Sequence, residues 1–266
     1  MSNIISKVKT EFNELYCARN ILKSLVIKDL FGRYKNTAIG FGWHFVMPLI
    51  MMSVYYIAFS EMRSTNIPNF WIYLSSGVFP FNFMMTNLIG NSSVIVSNSS
   101  MIKKMYFPRE IIVMSHVLSS FVVLLIGYFF VILITVITGH VLAPHVVLYL
   151  PLIMVLIFFF VLGYTLFFSS IVVYIRDVQH ILSALSMVLF FMTPMYFVSS
   201  EATGLLKTVI WLNPLTYFVE FYHQIIYYGE NPDIMLMIMC LVLTITMLLL
   251  GTVVFAKLKK GFAERL

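Results

Sequence analysis

No Asp, Glu, Lys or Arg occurs between residues 111 and 175. Two apolar runs fill that interval, 111–138 and 146–175, with only a short turn around Gly139 and Pro144 between them. About 20 apolar residues suffice for a helix to cross the hydrocarbon core of a bilayer. Backbone polar groups have no water partner there, so each run must satisfy its own hydrogen bonds as a helix. Residue usage agrees, since 61% of the chain is hydrophobic and 11% charged, whereas ordinary soluble domains are about 45–50% apolar. The runs are too long for barrel strands. The expected fold class is therefore an all-α membrane protein.

Four further spans are expected at about 39–60, 70–89, 180–197 and 234–256, which makes six transmembrane helices. Residues 1–36 read as a cytoplasmic amphipathic segment. Within it Ile21, Leu22, Leu25, Val26, Leu30 and Phe31 recur at helical spacing, apart from most of the basic residues, as in a helix lying along a membrane surface. Residues 198–233 are too polar to span and too apolar for a free loop, and short re-entrant helices on the outer side are expected there. Residues 257–266 form a basic tail. Of the 17 Lys and Arg, all but Arg63 and Lys207 then fall in segments assigned to the cytoplasmic side, as the positive-inside rule requires. Both termini are placed inside. The long polar, basic segment before the first span speaks against a cleavable signal peptide. Cys17 and Cys240 both lie away from the outer face in this topology, which argues against a disulfide.

One stretch interrupts the apolar pattern. Residues 98–112, NSSMIKKMYFPREII, carry Lys103, Lys104, Arg109 and Glu110 around a Tyr-Phe-Pro step. Those charges cannot sit in a bilayer core, and Pro108 breaks any helix passing through while favouring an extended Phe107. A short cytoplasmic element, a turn and a new transmembrane helix from near Glu110 are expected. This is where another protein would push.

Chemistry of its own is hard to find in the chain. There is no GxxxxGK[ST] phosphate loop. His44, His116, His140, His145, His180 and His223 show no metal-ligand spacing, and no metal site is expected. The net charge of +6 comes from residues flanking apolar runs, not from one stripe, so nucleic acid is not an expected partner. Nearly every acid falls at a span end or outside it; Glu220, in the re-entrant segment, is the exception. An ion-driven carrier needs acids inside its spans, and no internal repeat supports one. A membrane body with a cytoplasmic contact surface and no motor points to a permease powered by a separate subunit.

The motifs carry a resemblance that spans nearly the whole chain in order. KDLFGRYKNTAIGFGWHFVMPLIMM, residues 28–52, is similar to the opening of the ABC-2 type permeases that export polysaccharides, with Gly40, Trp43 and Pro48 in its G-x-x-W-x-x-x-x-P pattern. IKKMYFPREI, residues 102–111, resembles the K-x-Y-F-P-R-E segment of that family, and YIRDVQHIL, residues 174–182, its R-D turn. TPMYF, residues 193–197, and LNPLTYFVEFY, residues 212–222, resemble its fifth-helix end and outer re-entrant segment. The resemblance implies a homodimer in the cytoplasmic (inner) membrane and two copies of a cytoplasmic ABC ATPase. The substrate would be a lipid-linked glycan of the O-antigen, capsule or teichoic acid type. The chain would bind no cofactor, ATP and Mg belonging to the ATPase, and would otherwise touch only membrane lipids.

Rigid charged elements transmit force better than free loops, which selects the expected ATPase contacts: Lys103, Lys104, Tyr106, Phe107, Arg109 and Glu110 first, then Asp29, Arg33, Tyr34 and Lys35, then Arg176 with Asp177. Sugars stack on aromatic faces, and the chain is 16% aromatic. Trp43, Tyr55, Tyr56 and Phe59 on the first span and Phe79, Phe81 and Phe83 on the second are the candidate substrate-pathway residues. Tyr196, Trp211, Tyr217, Glu220 and Tyr222 are the candidates for an outer gate. The rivals are an ABC-2 exporter of drugs or lipids, an ion-gradient carrier, and a scaffold without transport.

Overall fold

The computed structural model describes residues 17–32, 35–61, 67–104, 107–139 and 142–266. The expected contacts Arg33, Tyr34 and Tyr106, and the expected outer loop at 62–66, lie outside them. Among the described residues the chain is helical, with no strand.

Four helices are long and apolar enough to cross a membrane: Gly40–Phe59, Glu110–Ile137, Val146–Val172 and Ile234–Gly261. They fall where the first, third, fourth and sixth spans were expected. The other two expected spans are shorter helices, Phe70–Met85 of 16 residues and Val178–Met192 of 15. In chain order we label α1 (Arg19–Gly32), α2 (Trp43–Glu61), α3 (Phe70–Met85), α4 (Val94–Ser97), α5 (Ser99–Lys104), α6 (Glu110–Ile137), α7 (Val146–Val172), α8 (Val178–Met192), α9 (Gly204–Leu212), α10 (Pro214–Tyr222), α11 (Ile234–Leu258) and α12 (Phe262–Arg265).

The centre of the bundle is α3, buried along almost all of its length. Pro80 has no N–H to give to the carbonyl of Ser76, four residues earlier, and the Tyr128 hydroxyl of α6 donates to that carbonyl at 2.9 Å. After Met85 the helix widens into a π-helical turn, Thr86–Gly90. At that transition the Tyr164 hydroxyl of α7 donates to the carbonyl of Met84. Each irregularity in α3 thus meets a tyrosine from a neighbouring helix, as buried backbone acceptors require. Within the turn Asn87 donates to Ser120 of α6 at 2.9 Å and accepts from Asn91 at 2.8 Å. Asn87, Asn91 and Ser92 are therefore consumed inside the bundle, while Thr86 stays exposed.

The closest helix pairing is α7 with α11. It depends on Gly163 and Gly251, because a Cβ on Gly251 would run into the backbone of Gly163, and one on Gly163 would lie 2.5 Å from the Met247 carbonyl carbon. Small residues that let two backbones touch are a common source of helix association in membranes. Thr244 adds a hydrogen bond to the Leu156 carbonyl at 3.2 Å.

Helix α1 lies across the first turns of α6. Asp29 Oδ1 is 3.4 Å from His116 Nδ1, and the Ser119 hydroxyl reaches the Val26 carbonyl at 3.4 Å. Ile21, Leu22 and Leu25 pack on the core and Leu30 is buried, whereas Ile27 and Phe31 are exposed. At the opposite limit of the fold, α10 begins with a standard stop-start pair. Asn213 accepts from the Leu215 N–H at 3.0 Å and Pro214 occupies the first helical position, where its missing N–H costs nothing. A π-helical turn, His223–Tyr228, follows, and Gly229 ends it at φ 64°.

Candidate functional site: the basic end and the aromatic far end

Tyr174, just beyond α7, donates to the Leu258 carbonyl of α11 at 3.0 Å, and Arg109, ahead of α6, donates to the Lys259 carbonyl. These two contacts bring the start of α6, the end of α7 and the end of α11 to one end of the bundle. Arg109, Arg176, Lys257, Lys259, Lys260 and Arg265 belong to these segments, and Lys103 and Lys104 close α5, which lines a cleft with the first turns of α6; this is the basic end.

The expected contact residues divide here by what their side chains do. Lys103 and Lys104, in the last turn of α5, are exposed, as are Lys35 and the Arg176–Asp177 pair that opens α8. Cations at the C-terminus of α5 also complement its dipole. Phe107 is buried, anchoring the turn. Arg109 and Glu110 are half-buried and engaged within the chain: Glu110 Oε1 is 2.6 Å from Lys259 Nζ, and the Arg109 guanidinium lies 5.8 Å over the Phe262 ring. Asp29 is likewise engaged, with His116. A cleft of about 570 Å³ opens between Cys17, Ala18 and Ile21 on one wall and Phe107 to Glu110 with Lys259 and Lys260 on the other. Lys259 and Phe262 were absent from the sequence-derived set, since the tail offered only positive charge as a signal.

The aromatic candidates split along the bundle axis. Trp43 opens α2 beside the α1 junction, where Phe31 stacks on Phe41 and His44 Nε2 donates to the Leu30 carbonyl at 2.9 Å. Phe59 stands 16 residues later, about 24 Å along a helix axis. There it stacks on Tyr196 with ring centroids 4.5 Å apart. Tyr55 and Phe81 join this far-end group through Phe190, at 6.1 and 5.8 Å. Tyr56 turns elsewhere, towards Phe70 and Trp71. Phe79 and Phe83 face α6 instead, against Tyr128 and Phe121 respectively. The structure thus joins Tyr55, Phe59, Phe81 and Tyr196 into one patch, and leaves Trp43, Tyr56, Phe79 and Phe83 outside it.

Of the other expected gate residues, Trp211 and Tyr217 form one unit. Their rings meet edge-on at 5.5 Å and the Tyr217 hydroxyl donates to the Trp211 carbonyl at 2.9 Å. Tyr222 is wholly buried and stacks on Tyr128 at 4.8 Å. Glu220 is buried, and its Oε1 has no hydrogen-bond partner among the described residues. Burial pushes its carboxyl above the ordinary range, with the Ser199 hydroxyl acting the other way. His223, one turn on, approaches Glu220 to 4.0 Å. Burial drives the imidazole down to about 3, so the ring is neutral and the approach is not an ion pair.

Two residues that sequence reasoning missed hold this segment in place. Tyr73 of α3 donates to the Phe197 carbonyl at 2.6 Å and stacks on His223 at 4.0 Å. Gly77, one turn later, leaves room for the imidazole, since a Cβ there would lie 2.8 Å from His223 Nε2.

Residues 21–227 match the ABC-2 type transporter family. The chain is 27% identical over 249 residues to an O-antigen export system permease protein RfbA of Klebsiella pneumoniae, which covers 92% of this chain and 94% of that one. It is 28% identical over 253 residues to the protein of the same name from Myxococcus xanthus, covering 94% and 97%.

Proposed function

The chain belongs to the ABC-2 type transporter family, and from that premise we propose that it is the membrane subunit of an ATP-driven exporter of a lipid-linked polysaccharide. In this reading the chain has six spans, α3 with its π-helical continuation and α8 supplying the two short ones. The helix α1 lies along the cytoplasmic leaflet, and α9 and α10 re-enter from outside. Two copies form the conduit and two ABC ATPase subunits dock at the basic end, which faces the cytoplasm of the inner membrane together with both termini. ATP and Mg belong to the ATPase.

One observation carries the orientation and the docking face. Basic residues of α5, of the turn before α6, of the stretch after α7 and of the C-terminal segment gather at one end, with Lys103, Lys104 and Arg176 exposed and Arg109 and Glu110 engaged within the chain. Positive charge collects on the cytoplasmic side, and a separate motor can only act there. The glycan assignment draws on the O-antigen export permeases to which the chain is similar over more than nine-tenths of its length. The partly exposed rings of Tyr55, Phe59 and Tyr196 in the far-end patch, backed by the buried Phe81, are of the kind that sugars stack against.

The test is to remove the chain from its source cell and follow the lipid-linked glycan. Accumulation on the cytoplasmic side with loss from the surface, restored by re-expression, is the expected result. Unchanged surface glycan together with a changed efflux of apolar compounds would move the assignment to the drug or lipid exporters of the family.

A further inference from the structure

We propose that the C-terminal segment 259–265 is a clasp that fixes the 107–110 turn to the last helix, with Lys259 and Phe262 as positioning residues for energy coupling. The inference rests on the reading that an ATPase subunit docks at the basic end.

The contacts are specific and come from different parts of the segment. Lys259 bonds Glu110 at 2.6 Å through its side chain, while its carbonyl accepts from Arg109. Phe262 is wholly buried. One neighbour of its ring is Phe255, edge-on at 5.5 Å, and another is the Arg109 guanidinium. Arg265 lies 5.8 Å over the Tyr174 ring, the same tyrosine whose hydroxyl bonds the Leu258 carbonyl. Gly261 sits directly against that hydroxyl, leaving no room for a Cβ.

A tail whose role is topology alone would need positive charge and nothing more. It would not need a wholly buried phenylalanine, a glycine without room for a side chain, or a carboxylate partner. The clasp gives the turn what its sequence lacks. Pro108 has no N–H to give, and the bonds its own and the Arg109 carbonyl accept come from Ile111 and Ile112, the start of α6, so the turn is tied to α6 alone without the clasp. Tied to α11 by Lys259 and Phe262, and to α7 through Tyr174, it passes a displacement to three helices together. Coupling of this kind needs a contiguous and stiff set of contacts.

The experiment uses the full chain with its ATPase in membrane vesicles, and reads ATP hydrolysed per glycan exported. Lys259→Met removes the charge while Lys257, Lys260 and Arg265 keep the topology, and Lys259→Arg preserves the pair. The expected result is an assembled complex in which Lys259→Met and Phe262→Ala each raise the ATP cost of export about fivefold or more, while Lys259→Arg stays near wild type. If Lys259→Met and Lys259→Arg behave alike, the clasp is wrong. Should Phe262→Ala fail to accumulate, the Lys259 pair decides the matter, because that half-exposed side chain can be replaced without loss of packing. A wild-type chain that assembles with no ATPase removes the exporter reading and the clasp with it. A working wild type with indifferent variants removes the clasp alone.

Discussion

Tyr128 shows how much a single hydroxyl carries in this fold. Its donation to the Ser76 carbonyl occupies the acceptor that Pro80 leaves open. Tyr128→Phe keeps the ring stack on Tyr222 and leaves the carbonyl buried and unpaired. A loss of about 1–2 kcal/mol is expected, read as a lower thermal midpoint in detergent; an unchanged midpoint would mean that another donor reaches Ser76. Glu220 makes the opposite case. Burial raises its native carboxyl above the unfolded value, so its neutral form is the one favoured. Stability from this group is complete below the unfolded value and is lost as pH rises through the native one. Glu220→Gln should therefore match or exceed the wild-type midpoint at neutral pH and lose less stability as pH rises. A Gln variant less stable than wild type at neutral pH would show that the fold needs the charged carboxylate. At the docking face Lys104→Glu should weaken ATPase association and leave the amount of chain in the membrane unchanged, because its side chain is exposed beyond the last turn of α5. Loss of the chain itself would show that Lys104 serves insertion instead.

Among the elements, α7 and α11 depend on each other more than any other pair. Gly251→Leu would drive a branched side chain into the Gly163 backbone, and overpacking of this severity costs about 3 kcal/mol. The variant should accumulate poorly and lose its thermal transition, whereas a substitution at the open Gly90 should not; equal effects would refute the close pairing. Much of this level was legible in the sequence. Uncharged runs defined the long helices. Phe79, Phe81 and Phe83 were read as one pathway set, yet a helix advances 100° per residue, so Phe79 and Phe83 share a face that Phe81 cannot. Tyr73 with His223, and Glu110 with Lys259, could not have been read in this way. Each pair is about 150 residues apart in the chain, and no local spacing announces such a contact. The ends of α3 and α8 were also obscure, because a π-helical turn and a pre-proline stop shorten the regular helix without interrupting the apolar pattern.

Among the described residues most of the basic side chains gather at one end, and the cluster of Tyr55, Phe59, Phe190 and Tyr196 rings lies towards the other. In the proposed reading a motor at the basic end acts on a turn held by α6, α7 and α11, and a glycan leaving at the far end meets rings from α2 and the segment after α8. Helix α2 exposes Met47, Ile50, Met51, Val54 and Ile57 along one side, a face suited to lipid or to a second copy. The account stands or falls on the existence of the motor. The most direct measurement is the mass of the complex purified in mild detergent after co-expression with ABC ATPase subunits encoded beside this chain. The account predicts two copies of each subunit and ATP hydrolysis, with the assembly weakened by Lys104→Glu. A chain that purifies without any nucleotide-binding partner, and transports after ATP is depleted, would contradict it.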